Sequence, residues 1–305
     1  MPFGLLTGLG AALSWGTMDV ASALASRRIG SLLVTAGVVV VSAVLLVLLT
    51  LVSGTALPTD ARTLATCALL GLIGAGAYFA YFTGLRVGPI AVVSGMVAAY
   101  GGLTVVLSVV LRGESLTAIQ AFGATVATAG VILTGVAFEG GLRATRFAGP
   151  GVIFAIVALV LFSMMAITTD IALESAGWLQ VLLASRTVTA VISVLAVVVV
   201  AWRAGRGTRA VIEIDQAEPP AQDRTSRRGR IVALILLAGL LDVLGLASFA
   251  IGLETAPTWL VGLASSFGPA VTILVAVAFL GERLKRIQWF GLAGVAVGMV
   301  AIALP

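Results

Sequence analysis

The stretch GESLTAIQAFG at 113–123 recurs as GERLKRIQWFG at 281–291, with its Gly-Glu, Ile-Gln and Phe-Gly pairs in the same places. The offset of 168 positions carries residues 69–130 onto 237–298 without a gap. Gly71 meets Gly239, Gly84-Leu85 meets Gly252-Leu253, Pro89 meets Pro257, Thr104 meets Thr272 and Gly130 meets Gly298. Agreement of turn-forming and small residues at one offset marks a duplicated unit. Earlier in each half the offset is 151: Thr17-x-Asp19-x-Ala21 meets Thr168-x-Asp170-x-Ala172, and Phe3 meets Phe154. A charged stretch at 203–230 takes up the difference. It holds seven Arg, four acidic residues and Pro219-Pro220, and reads as a solvated linker between helices. Two repeats follow, 1–140 and 148–305, with 203–230 inside the second.

The solvent of these repeats is lipid. The chain has 305 residues, 60% hydrophobic and 10% charged, whereas a soluble domain carries about 25% charged residues. Its apolar residues come in runs close to the roughly 20 that a helix needs to cross a bilayer core. Spans are expected near 3–25, 31–52, 64–85, 89–111, 117–138, 150–172, 178–202, 231–253, 258–280 and 287–304. The breaks fall at Arg27-Arg28, Pro58 to Arg62, Gly88-Pro89, Gly113-Glu114, Arg143 to Arg146, Pro257 and Gly281-Glu282. Trp178, Trp202, Trp259 and Trp289 sit at span ends, where aromatic belts form, while Trp15 lies inside the first span. Ala23-Leu24-Ala25 resembles a signal-peptidase site, but no Lys or Arg precedes it and the run contains Asp19, so the first helix reads as a retained span.

Five spans per repeat put the second copy into the membrane from the opposite side. The expected fold is therefore an all-α integral membrane protein of ten transmembrane helices in two inverted five-helix repeats. Inverted repeats are the frame of secondary transporters, with the site near the midplane between the halves. The single Cys67 forms no internal disulfide, and the lack of His removes His metal ligands, His proton relays and Ser–His–Asp catalysis. No metal or organic cofactor is implied, and no nucleophile motif points to an enzyme. The net charge of +5 sits in loops between spans, a topology signal rather than a nucleic-acid surface.

The chain resembles the drug/metabolite transporter superfamily, as a ten-span protein with two EamA-type domains. Carrying the resemblance are Gly113-Glu114, Gln120, Gly123 and Gly130, their counterparts Gly281-Glu282, Gln288, Gly291 and Gly298, Trp15-Gly16, and Pro269 within Phe267-Gly268-Pro269. Gly102 stands near the place of Pro269 in the first half, and the sixth span has no counterpart of Trp15-Gly16. The resemblance implies a carrier, since members of the family move amino acids, drugs, sugars or nucleotide conjugates. With the inverted repeat, the expectation is a multi-pass plasma-membrane carrier of a small-molecule solute (an amino acid, metabolite or drug-like compound) working by alternating access, with proton-coupled export one option for its direction and driving force. A lipid or lipid-linked sugar flippase is the alternative on the same frame. The bilayer and a second copy of the chain are the other candidate partners; nucleic acid is not.

Ionisable groups inside spans are costly, which makes each a candidate site residue. Asp242 lies in the middle of the eighth span and Arg186 about a third of the way along the seventh. They read either as a buried ion pair or as a substrate and ion site, and Gly74 holds the place of Asp242 in the first half. Asp19 and Asp170 are repeat mates, which favours a structural or gating role. Trp15, Tyr78, Tyr81 and Tyr100, with Ser265 and Ser266, are candidates to line a cavity for an apolar, aromatic or cationic solute. Glu114 and Glu282 each enter a short turn before a helix, where a carboxylate meets free backbone N–H groups.

Fifteen of the 18 Lys and Arg lie in loops after odd-numbered spans. The positive-inside rule places those loops in the cytoplasm and both termini outside; the resemblance implies the reverse. By the charge count, a tag fused after Pro305 is labelled by a membrane-impermeant reagent on intact cells, and protection of the tag reverses the assignment.

Overall fold

A computed structural model describes residues 2–87, 93, 96–135, 150–204, 224–268, 270, 271, 274 and 286–303. All the elements among them are helices: α1 (Pro2–Ile29), α2 (Ser31–Ser53), α3 (Ala61–Val87), α4 (Tyr100–Arg112), α5 (Ala118–Gly135), α6 (Pro150–Leu173), α7 (Trp178–Ala204), α8 (Arg224–Leu253), α9 (Thr258–Ser265) and α10 (Arg286–Ala303). The expected breaks at Gly88-Pro89, Arg143 to Arg146 and Gly281-Glu282, the residue Pro269 and most of the linker lie outside the described residues.

The punctuation works as its chemistry dictates. Gly30 has φ 85°, so α1 ends one residue beyond Arg27-Arg28. Gly54 and Gly113 take the left-handed conformation that a Cβ disfavours and close α2 and α4 by bonding to Thr50 O and Ser108 O. Asp60 starts α3: its carboxylate accepts from the N–H groups of Arg62 (3.1 Å) and Thr63 (2.8 Å). Bonds from Thr63 and the Arg62 N–H hold that carboxyl below its usual range.

Among the described residues, five stretches are long and apolar enough to cross a membrane: 32–53, 61–84, 151–173, 178–203 and 228–253. Large apolar side chains stay exposed along their outer faces, among them Val52, Phe79, Val198 and Leu236. A soluble surface would not carry so many in contiguous patches, so the chain is a multi-pass membrane protein with lipid against these faces.

The close packing runs between the halves rather than within them. Helix α1 lies on α8 and α9, α3 on α6 and α7, α2 on α7 and α8, α4 on α6 and α9, and α5 on α10. Exchanging α1–α5 with α6–α10 leaves this neighbour pattern unchanged, as a two-fold axis requires. The repeat offset is visible at atomic level. A Cβ on Gly71 of α3 would stand 2.5 Å from Ser185 O and 2.6 Å from Val188 Cβ of α7. One on its mate Gly239 of α8 would stand 3.2 Å from Val38 O and 2.6 Å from Val41 Cβ of α2. Every apolar cluster among the described residues draws on both halves. Trp259 departs from the aromatic belt expected of it. It is 1% exposed and packs in the cluster of α5, α9 and α10, because α9 begins beneath the α4–α5 turn rather than at the lipid surface.

Lipid tails supply no hydrophobic force between helices, so backbone proximity at small residues carries the α5–α10 crossing. A Cβ on Gly130 would stand 2.6 Å from Val295 N and 2.7 Å from Gly291 O; one on Gly298 would stand 2.6 Å from Gly123 O. Both neighbours are backbone, which cannot give locally. Gly130→Ala is therefore expected to cost about 1–3 kcal/mol in detergent unfolding, while Gly229→Ala on α8, whose Cβ meets nothing within 4 Å, does not lower the melting temperature.

Candidate functional site

Three helices present residues at the same i, i+3, i+4 spacing toward one point on the seam: Trp15, Met18 and Asp19 of α1, Tyr78, Tyr81 and Phe82 of α3, and Phe162, Met165 and Ala166 of α6. That spacing stacks side chains on one helix face. With Tyr100 of α4, Phe249 of α8 and Ser265 of α9 they line a cavity of about 740 Å³, open mouth included.

Phe162 organises the walls. Its ring centroid lies 5.6 Å from Tyr78 and 6.0 Å from Tyr81, both edge-on, and 5.9 Å from Tyr100. Phe82 sits 5.3 Å from Tyr81, and Trp15 lies 5.7 Å from Phe249, its ring plane tilted by 44°. The Trp15 indole fits because residue 245 is Gly: a Cβ there would lie 2.5 Å from Nε1. The Tyr100 hydroxyl shares a hydrogen bond with Ser265 Oγ at 3.0 Å. Phe82, Phe162 and Phe249 are walls that sequence reading missed. Their signal was the helical spacing to neighbouring aromatics, and that shows only which faces agree, not which faces meet.

Arg186 and Asp242 come together as a buried pair, 5% and 1% exposed, with Nη2 2.5 Å from Oδ2. Tyr78 ties the pair to the cavity wall: its hydroxyl donates to Asp242 Oδ1 at 3.2 Å, and the guanidinium lies over its ring at 5.4 Å. The pair joins α7 to α8 and, through Tyr78, to α3. Thr189 Oγ1 adds a bond to Gly71 O on the same side of α3.

The repeat mates Asp19 and Asp170 part company. Asp19 lines the cavity, and among the described residues its carboxylate has no hydrogen-bond or ion-pair partner. Asp170 lies away from the cavity, paired with Arg112 Nε at 2.6 Å, and the other arm of Arg112 holds Glu174. Ser266 is also off the cavity. It bonds to Leu263 O and packs on α4, where a Cβ on Gly101 would lie 2.1 Å from its Oγ.

The Arg112 contacts belong to a ring of polar links at one end of the bundle. Glu114 accepts from the Thr258 and Trp259 N–H groups at 2.8 and 3.1 Å, so its carboxylate caps α9 of the other half and not the helix that follows it. The Trp178 N–H donates to Glu254 at 2.9 Å, and Gln180 Nε2 donates to Ala56 O at 2.6 Å. The connections after α2, α4, α6 and α8 are thereby joined to one another. Glu282, the mate of Glu114, lies outside the described residues.

The family model of the EamA-like transporter family matches residues 2–136 and 149–304. A solved structure titled "Crystal structure of protein" superposes with a TM-score of 0.76 at 20% identity, covering 98% of this chain and 96% of its own, a likeness of fold. No curated protein matches the chain.

A pair that is buried and shares one cationic and one anionic partner penalises the loss of either. Arg186→Met and Asp242→Leu are each expected to cost about 3–5 kcal/mol, because the surviving charge is left in an apolar setting, and the double variant to recover more than half of that. A double-mutant cycle on unfolding in detergent measures it.

Proposed function

The chain belongs to the EamA-like transporter family, and from that premise we propose that it is a secondary carrier of a small organic solute. The solute is an amino acid, a metabolite or a drug-like compound, and the carrier works by alternating access in the plasma membrane. The observation that carries this reading is the cavity on the seam, walled by both halves, together with a ring of polar links at one end of the bundle.

In this reading the ten helices are ten spans, in repeats 1–140 and 148–305 inserted with opposite orientation. The interchangeable neighbour pattern supports it. Two halves related in this way have two equivalent arrangements. In one the connections after even-numbered helices are joined; in the other they separate while the opposite end closes. The linkers of the ring suit such a switch: each is a carboxylate or amide against a cation or backbone group, replaceable by water when the end opens. A carboxylate within the spans also offers a place for a proton, which fits proton-coupled export. The flippase alternative has no support in the geometry. The cation in the spans, Arg186, is committed to Asp242, and the cavity walls offer no free cation among the described residues for a lipid phosphate.

Solute counterflow in proteoliposomes tests the carrier. Locking the ring tests the switch: Cys67→Ser, Arg112→Cys, Glu174→Cys, bridged by a short reducible thiol cross-linker, is expected to lose counterflow and to regain it on reduction. Counterflow that persists across the bridge would remove the ring from the transport cycle.

A further inference from the structure

The cavity holds a charged group that nothing else described in its surroundings explains. Asp19 is a carboxylate on a membrane-spanning helix, lining an aromatic cavity, with no cation and no donor bonded to it among the described residues. Among the described residues the buried cation nearby, Arg186, has its charge met by Asp242 and its face covered by Tyr78. The repeat mate of Asp19 shows what the same position does when it is structural, since Asp170 is paired with Arg112. A charge left uncompensated inside a membrane protein is costly and marks a pathway or a ligand partner.

The walls have the matching chemistry. Trp15, Tyr78, Tyr81, Tyr100 and Phe162 surround the same space. Aromatic faces attract cations through their quadrupole, more strongly where water is excluded, and they offer nothing to an anion. Two of the three tyrosine hydroxyls are already used, by Asp242 and by Ser265. What remains is one carboxylate among ring faces, with the Tyr81 hydroxyl and the Trp15 indole N–H as further donors.

We infer that the cavity binds an organic cation, an ammonium group set against Asp19 with its apolar body on the rings of Trp15, Tyr81, Tyr100 and Phe162. This assigns a substrate class to the carrier proposed above and rests on that reading for its role in transport. The chemistry favours primary to quaternary amines that carry an aromatic or aliphatic body. It disfavours free carboxylates and phosphates, which would face Asp19 with no free cation among the described residues to offset it.

Three probes of one shape separate charge from size: tryptamine, a cation; tryptophol, its neutral analogue; and indole-3-acetate, an anion. Equilibrium dialysis on the full-length protein in detergent is expected to show tryptamine binding about tenfold tighter than either of the others. Asp19→Asn is expected to abolish that preference while leaving tryptophol binding in place, and Asp19→Glu to retain part of it; melting temperatures show that the variants are folded. Equal binding of the three probes, no binding of tryptamine, or a preference that survives in folded Asp19→Asn overturns the inference. Counterflow of the same probes keeps the two readings apart. A cation preference in binding without counterflow sinks the carrier and spares the site. Counterflow of all three at similar rates spares the carrier and sinks the site.

Discussion

Inside a bilayer nothing squeezes two apolar helices together, since lipid tails serve them as well as a neighbour does. The halves of this chain must therefore be joined by close backbone approach and by polar bonds whose alternative is an unsatisfied group. Both devices sit on the seam. Glycines of α3 and α8 bring α7 and α2 within van der Waals contact, and the Gly-lined crossing of α5 and α10 does the same at the far side. Arg186, Asp242 and Tyr78 supply the polar centre. Every apolar cluster among the described residues draws on both halves, and several of them share side chains with the wall of the cavity.

The frame is symmetric and the chemistry is not. Gly71 and Gly239 do equivalent work against equivalent partners. Asp242 has Gly74 as its mate, and Trp15, at the offset of 151, has Ala166. Asp19 and Asp170 keep the same residue and differ in surroundings, because Arg112 stands beside only the second. A two-fold backbone permits two equivalent arrangements, while departures from it in side chains give the cavity one set of contacts and the closed end another.

Composition and the repeat made the membrane class, the helix order and the seam legible, because each rests on periodicity or on the local geometry of Gly and Pro. The offset of 168 even foretold which glycines do the same job, since identical local sequence meets an identical neighbour across a two-fold axis. Asp242, Arg186, Trp15, Tyr78, Tyr81, Tyr100 and Ser265 were visible as candidates, being polar or aromatic where lipid would favour neither. Trp259 was misread: its place at a helix start suggested the lipid surface, and only the descent of α9 under Glu114 buries it.

By itself, then, the sequence determined that this is a helical membrane protein with a duplicated architecture and a few expensive polar groups in its spans, for these follow from composition and spacing along one chain. The tertiary structure alone decided the partners: Arg186 with Asp242, Asp170 with Arg112, Glu114 with the first turn of α9 rather than its own next helix, Ser266 out of the cavity and Asp19 in it without a partner. The physical reason is separation along the chain. The paired contacts join residues between 56 and 145 positions apart, and which of them meet depends on the rotation of each helix about its own axis. Packing across the seam sets that rotation, and no local signal in the sequence records it.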